Sequence, residues 1–301
     1  MQNEYNLSII TINYNGLKDT CALLETIPTR QDIETIVVDN ASYEDEASII
    51  EGRFPHVRVI RSNKNLGFAG GNNLGIEAAH GKYLFFINND TVFEGEWKVD
   101  QLISRIASTP NIGIVCPKIR FAWGTKLIQF AGYTPLSRFT IRNRSIGFGE
   151  TDQGQYDTAH RTPYAHGAAM LTTREAIAKV GLMPECYFLY YEELDWSMMF
   201  SRAGYEIWYD PSCTIYHKES QTTGKNSPLR TYYITRNRLI FAKRNLSGVH
   251  RLITYMYLTT VVMTRDLILN ASHGRIDIMK ATLHGAIDFL NKQQGHTSKI
   301  L

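Results

Sequence analysis

Three carboxylates fall within four residues in Tyr187-Phe188-Leu189-Tyr190-Tyr191-Glu192-Glu193-Leu194-Asp195-Trp196, and aromatic side chains crowd around them. Apolar walls raise a carboxyl pKa toward the range where the group can take a proton from a hydroxyl, so Glu192, Glu193 and Asp195 are candidate general bases. Acids in the first turn of a helix also complement its dipole, and that structural role competes most strongly at Asp195. Asp90 ends a second stretch, the buried-looking strand Tyr83-Leu84-Phe85-Phe86-Ile87 followed by Asn88-Asn89-Asp90. A carboxylate fixed at a strand end suits a hard divalent cation, because Mg²⁺ takes one or two protein carboxylates and fills its shell with phosphate and water. His217 closes Tyr209-Asp210-Pro211-Ser212-Cys213-Thr214-Ile215-Tyr216, and spacing alone gives a lone histidine little claim to a metal.

Asn65-Leu66-Gly67-Phe68-Ala69-Gly70-Gly71-Asn72-Asn73 is glycine-rich and opens a helix. Glycines let backbone N–H groups approach phosphate oxygens, and a helix dipole favours the negative charge. The segment is neither a Walker loop nor a Rossmann fingerprint. It therefore serves another class of nucleotide or is a turn that packing demands.

These groups need a frame. Short β-branched runs alternate with helical-period stretches, the pattern of βαβ units on a mostly parallel sheet in an α/β fold. Strands are predicted at Leu7–Asn13, Thr35–Asp39, Val57–Arg61, Tyr83–Asn88, Ile112–Pro117, Tyr164–Thr172 and Glu206–Asp210. Helices are predicted at Gly16–Thr26, Glu44–Arg53, Gly70–His80, Lys98–Ser108, Arg174–Val180 and Glu192–Ala203, with residues 120 to 162 as loops and short antiparallel strands. Ligands of open α/β sheets bind at the carboxyl ends of strands. Three such ends are polar: Asn13-Tyr14-Asn15-Gly16, Asp39-Asn40-Ala41-Ser42 and Asn88-Asn89-Asp90. Asn and Asp also form ordinary turns, so the signal lies in their convergence on one sheet edge.

With 301 residues, 44% hydrophobic and 20% charged, 9 Pro and 22 Gly, the chain is globular, of one large or two ordinary domains. Residues 1 to 225 carry 21 basic and 26 acidic side chains, a balance of −5; residues 226 to 301 carry 11 and 3, a balance of +8. A boundary is therefore expected at 225, after the turn-like Thr222-Thr223-Gly224-Lys225-Asn226-Ser227-Pro228, with a basic helical segment beyond it. The N-terminus lacks a basic n-region and a cleavage site, which predicts no export. Cys21, Cys116, Cys186 and Cys213 are scattered, as reduced cytosolic thiols are. The apolar run Leu252 to Met263 is expected to be too short to span a membrane. Nucleic-acid binding explains the basic segment poorly, since it has no zinc pattern, RNP-type strand or reading helix.

Taken in order, the motifs resemble glycosyltransferase family 2, in its bacterial rhamnosyltransferase-like branch. They are Tyr14-Asn15, Val38 to Ser42, Asn65 to Gly70, Asn88-Asn89-Asp90, Gly167 to Leu171, Glu192-Glu193-Leu194-Asp195, Ala203-Gly204-Tyr205 and Tyr216-His217. The resemblance covers residues 7 to 220. Two positions depart from it: Asn88 stands where the metal motif begins with Asp, and Glu193 stands where the family mostly has Asp.

The resemblance implies a GT-A nucleotide-diphospho-sugar transferase fold, a mostly parallel central sheet flanked by helices, here with a C-terminal helical extension. It implies an inverting transfer to an acceptor hydroxyl, with Glu193 as base and Glu192 as fallback, and Mg²⁺ or Mn²⁺ held by Asp90 and, as second ligand, His217. Asp39 would then accept from a uracil or thymine imide. Asn13 and Asn40 would place the nucleoside, and Asn65, Gly67 and Asn73 its sugar and phosphates; Asn15, Asn88 and Asn89 would join the same nucleotide-sugar site. The implied donor is dTDP-rhamnose first and UDP-sugars next, and the acceptor is lipid-linked or an oligosaccharide. A galactofuranosyl-, N-acetylglucosaminyl- or hexosyltransferase of the same family is the alternative; a non-catalytic nucleotide-sugar-binding subunit is the rival of another class. Arg236 and Arg238 could contact a donor or lipid phosphate or lie on a solvated helix face. The Arg251 to Leu269 segment resembles an interfacial helix or a homodimer face, which suggests peripheral attachment to an anionic membrane on the cytoplasmic side.

Overall fold

The computed structural model describes residues 5–122, 126–218 and 227–297. The elements are β1 (Leu7–Asn13), α1 (Leu17–Leu24), β2 (Ile33–Asp39), α2 (Glu46–Arg53), β3 (Val57–Arg61), α3 (Gly67–Ala78), β4 (Tyr83–Ile87), β5 (Thr91–Val92), α4 (Val99–Ser108), β6 (Ile112–Phe121), β7 (Ile128–Phe130), β8 (His160–Arg161), β9 (Ala169–Thr173), α5 (Arg174–Val180), α6 (Glu192–Arg202) and β10 (Glu206–His217). The C-terminal part adds α7 (Pro228–Asn245), α8 (Gly248–Met256), a π-helical segment (Tyr257–Val262), α9 (Met263–Ser272) and α10 (Ile276–Leu290). The turn at 222–226 and the boundary placed at 225 lie outside the described residues.

One sheet runs β3-β2-β1-β4-β9-β6-β10-β5, with β7 beside β6 and β8 beside β10. β1 pairs in parallel with β2 and β4, and β6 with β10, while β9 is antiparallel to both β4 and β6. All seven residues of β2 are buried, as expected of a parallel strand covered on both faces. Helix α3 lies close on β1 because it presents glycines there: a Cβ at Gly71 would stand 2.8 Å from Ile12 Cδ1, and one at Gly75 2.3 Å from Ile10 Cγ2. Trp196 of α6 seats that helix on the sheet, edge-on to Phe86 at 5.6 Å and to Phe200 at 5.0 Å. Such pairs add about 0.5–1.5 kcal/mol each beyond their area.

Three expectations are corrected. Helix α3 begins at Gly67, not Gly70. Strand β10 continues past Pro211 to His217, with a register shift between Asp210 and Thr214 where the proline is accommodated, so His217 is a strand residue. The apolar C-terminal run is not short: Gly248–Ser272 is continuously helical for 25 residues and is long and apolar enough to cross a membrane. Val249, Leu252, Ile253, Met256, Val261, Ile268 and Leu269 are exposed along it.

Candidate active site

The ends of β1, β2 and β4 are wired together. Asn13 donates to Asp39 Oδ1 (2.9 Å) and Glu46 Oε2 (2.8 Å) and accepts from Thr20 Oγ1 (2.6 Å), whose oxygen in turn accepts from Asn89 (3.0 Å). Gly16 allows this approach, since a Cβ there would lie 2.5 Å from Asn89 Nδ2. Asn15, in the left-handed region at φ 51°, accepts from the Tyr43 N–H at 2.8 Å and so joins the first strand end to the second. Asp39 also accepts from Ser42 Oγ at 2.6 Å.

Asp90 and His217 meet because β5, which starts directly after Asp90, pairs with the last residues of β10, His217 opposite Thr91. His217 Nε2 lies 3.0 Å from Asp90 Oδ1, with both residues buried. On its other side His217 Nδ1 meets Gln129 Oε1 at 2.8 Å. With Gln129 accepting through that oxygen, Nδ1 is the donor of this contact, and Nε2 is the ring atom that faces Asp90. One carboxylate and one imidazole form a sparse donor set, and among the described residues no cluster of three His, Cys, Asp or Glu adds to it. That set fits a divalent ion whose remaining positions are filled by phosphate oxygens and water; the imidazole favours Mn²⁺ over Mg²⁺. His166 stands edge-on to the His217 ring at 6.4 Å, and burial, then the His217 charge, pushes its pKa down to about 3.

Asn88 N–H donates to the Ala168 carbonyl at 2.9 Å, which carries the crevice from β4 to Gly167. Across it stands Glu193: a Cβ on Gly167 would lie 3.7 Å from Glu193 Cγ and 3.6 Å from the Phe68 ring. Ser197 locks this opposition, donating to the Glu193 carbonyl at 2.6 Å and accepting from Ala165 N–H at 3.0 Å. Burial raises the Glu193 pKa above the usual carboxylate range, against the opposing pull of backbone N–H groups at Glu193 and Leu194. Glu192 lies deeper, 2% exposed, with Oε2 lacking a hydrogen-bond partner. Burial first and Glu193 second hold its pKa well above the ordinary value.

The Glu192 shift fixes a stability prediction. A carboxyl with a raised folded-state pKa binds more protons folded than unfolded, so stability is greatest below the unfolded pKa and falls as pH rises toward the folded one. Glu192→Gln should melt with the wild type near pH 4 and several degrees above it at pH 7, a domain of this size gaining about 2–4 °C per kcal/mol. Melting curves across that range that stay parallel would refute the buried carboxyl with its unmatched Oε2.

Several expected site residues do other work. Asp195 is fully enclosed: it accepts from Tyr187 Oη (2.9 Å) and Asn245 Nδ2 (2.8 Å) and pairs with Arg244, so it ties α6 to α7 and leaves the set of candidate bases. Arg236 is equally enclosed and cannot reach a phosphate; it donates to the carbonyls of Tyr187 (2.7 Å) and Gly295 (2.9 Å). Asn73 clasps the Met183–Glu185 segment through Met183 O, Met183 N and Glu185 Oε1. Asn40 and Asn65 shape the glycine loop: Leu66 N–H donates to Asn40 Oδ1, Gly67 N–H to Asn65 Oδ1, and Phe68 N–H to the Phe188 carbonyl. Those N–H groups are therefore engaged, and the loop is not an open phosphate cradle. Gly67 is required for contact instead, with φ +71° and a Cβ that would stand 2.2 Å from Phe188 O. Arg238 donates to Tyr191 Oη at 2.9 Å.

Sequence inspection missed Thr20, Gln129, His166 and Asn237. Gln129 is 88 residues from its partner and carries no local signal, whereas His166 adjoins the Gly167 motif. Asn237 donates from one amide nitrogen to the carbonyls of Tyr187 (3.0 Å), Leu189 (2.6 Å) and Tyr190 (3.0 Å). It clamps a turn in which Phe188, Tyr190 and Tyr191 all have positive φ, at 73°, 69° and 82°. Each left-handed aromatic stores of order 1–3 kcal/mol that the surroundings must offset.

The family described as Glycosyl transferase family 2 matches residues 8–181. The chain is 24% identical over 305 residues to the low-salt glycan biosynthesis hexosyltransferase Agl10 of Haloferax volcanii, covering 98% of this chain and 94% of that enzyme. It is 24% identical over 230 residues to the N-acetylglucosaminyl-diphospho-decaprenol L-rhamnosyltransferase of Mycobacterium tuberculosis, covering 67% and 71%. Its fold resembles that of the Pyrobaculum calidifontis mannosyltransferase PcManGT in complex with GDP-Man and Mn²⁺, with TM-score 0.59, 14% identity and coverage of 95% and 87%. The fold is of the GT-A type.

Proposed function

The chain belongs to glycosyl transferase family 2, and from that membership we propose that it moves rhamnose from dTDP-rhamnose to a hydroxyl of a lipid-linked or polysaccharide acceptor, with inversion and with metal assistance. That it is a nucleotide-sugar glycosyltransferase of glycan biosynthesis follows from the family and the named relatives. Two observations support the finer reading: the buried Asp90–His217 pair at 3.0 Å, and Glu193 packed against Gly167, which directly precedes the Ala168 carbonyl met by Asn88 N–H at the end of β4.

In this reading Glu193 accepts the proton as the acceptor oxygen attacks the anomeric carbon. The bond from that carbon to the donor diphosphate breaks on the opposite face, and the nucleoside diphosphate leaves with the electron pair. Asp90 and His217 would hold Mn²⁺ or Mg²⁺, which neutralises charge gathering on the leaving diphosphate. Asp39, whose Oδ1 accepts from Asn13 and Ser42, would accept from the imide of a pyrimidine base. Rhamnose is favoured over other sugars by the mycobacterial relative, whose acceptor is named as a diphospho-decaprenol. The exposed apolar face of Gly248–Ser272 and the +8 balance beyond residue 225 support attachment on the cytoplasmic side of a membrane.

Thermal shift across nucleotide-sugars with Mn²⁺ present tests the donor. A ligand at a hundredfold its Kd adds about 2.7 kcal/mol to the folded state. dTDP-rhamnose should stabilise most and be hydrolysed slowly without acceptor; larger stabilisation by UDP-N-acetylglucosamine or UDP-galactofuranose would replace rhamnose with that sugar.

A further inference from the structure

Behind the aromatic turn lies a cavity of ≈ 150 Å³ that the transfer chemistry does not use. Three guanidinium groups line it, Arg142 from the loop after Ile141 and Arg230 and Arg238 from α7. Among the described residues the one carboxylate in its lining, Asp266, is paired with Arg265. The described lining therefore carries three guanidinium groups to one carboxylate. Arg142 feels the excess: burial and then the charges of Arg238 and Arg265 lower its pKa. Thr231 and Thr235 add hydroxyls, and the opposite wall is apolar, formed by Leu258, Val262 and Met263 of the long C-terminal helix.

Two further observations indicate what such a cavity receives. Its wall is continuous with the helix whose outer face exposes Val261, Ile268 and Leu269, so a polar head in the cavity leaves an attached hydrocarbon beside an apolar surface. It also abuts the catalytic turn: Arg238 donates to Tyr191 Oη, Arg230 lies 5.8 Å over the Tyr190 ring, and Tyr191 directly precedes Glu192. Planar guanidinium forks match the paired oxygens of phosphates.

We propose that the cavity between Arg142, Arg230 and Arg238 binds the phosphate or diphosphate group of a membrane amphiphile whose hydrocarbon lies along the Gly248–Ser272 helix. The proposal rests on the sugar-transfer reading only in taking that amphiphile to be the carrier of the acceptor.

The full-length protein, free of divalent metal so that Asp90 and His217 contribute nothing, is titrated with inorganic pyrophosphate by thermal shift. It is then floated with phosphatidylcholine vesicles with and without phosphatidic acid. Pyrophosphate should stabilise the wild type, vesicles containing phosphatidic acid should bind it preferentially, and pyrophosphate should compete with them. Arg142→Ala and Arg230→Ala should each weaken both interactions about tenfold, the size of one lost hydrogen bond to a charged group. Arg142→Lys, which keeps the charge, should lose less. Wild-type affinities in both alanine variants would overturn the site. Pyrophosphate binding combined with vesicle binding indifferent to phosphatidic acid would make it a free-phosphate site and overturn the amphiphile. Donor hydrolysis by the wild type, measured without acceptor, reports on the transfer reading independently: hydrolysis without pyrophosphate binding removes the cavity's role alone.

Discussion

Glu193→Gln is expected to lower sugar transfer by about 10²–10⁴-fold, the usual worth of a positioned general base, while donor affinity stays within a few-fold of wild type. The substitution keeps the shape and hydrogen-bonding reach of the side chain and removes only its capacity to hold the proton. Its neighbours should not move, because Ser197 grips the backbone carbonyl of residue 193 and not its side chain. Glu193→Asp tests distance separately. Drawing the carboxylate back by one methylene should leave more activity than Gln but cost roughly 100-fold, as misplacement by an ångström does. Single-turnover transfer rates with donor binding measured in parallel decide the matter; near wild-type turnover in Glu193→Gln would move the role to another group, with Glu192 the next to test.

Loss of the metal should be equally severe. Chelation is expected to stop transfer and added Mn²⁺ to restore it, with Mg²⁺ less effective because one of the two protein donors is an imidazole. Asp90→Asn should abolish rescue at ordinary metal concentrations. Gln129→Leu offers a subtler test. It leaves both donors in place but frees the His217 ring to choose its tautomer, and loss of such a supporting hydrogen bond typically weakens metal affinity 10–100-fold. Activity of Gln129→Leu should therefore return at high Mn²⁺, whereas that of Asp90→Asn should not. Full activity in excess chelator would remove the metal from the mechanism.

The parts of the fold that the sequence made legible were those whose signal is local. β1 and β3 occupy the expected residues because runs such as Leu7–Asn13 are apolar, β-branched and bounded by turn formers. β10 was cut short at Asp210 because Pro211 reads as a stop, while in the sheet a register shift absorbs it and the strand continues. The site divided along the same line. Glu193 and Asp90 stand out through their immediate neighbours. Asp195, two residues after Glu193, stood among the same candidates with a stronger helix-dipole role; two steps along a helix put it on another face, and its partners Arg244 and Asn245 lie about fifty positions away. The glycine loop misled for a related reason: glycine that admits a phosphate and glycine that admits Ile10, Ile12 or a carbonyl of residue 188 look alike in one dimension.

The grip of Asn237 and Arg236 on the 187–191 turn bears on how this enzyme can be taken apart and recombined. The carboxyl end of the chain carries the basic charge and the apolar helix, so it invites treatment as a detachable address label. Yet the three aromatic residues with left-handed backbone that lead into Glu192 and Glu193 are held from α7, so the label also grips the trigger. A hybrid that borrows the tail of a relative should function only when the borrowed helix and the 187–191 turn come from the same parent.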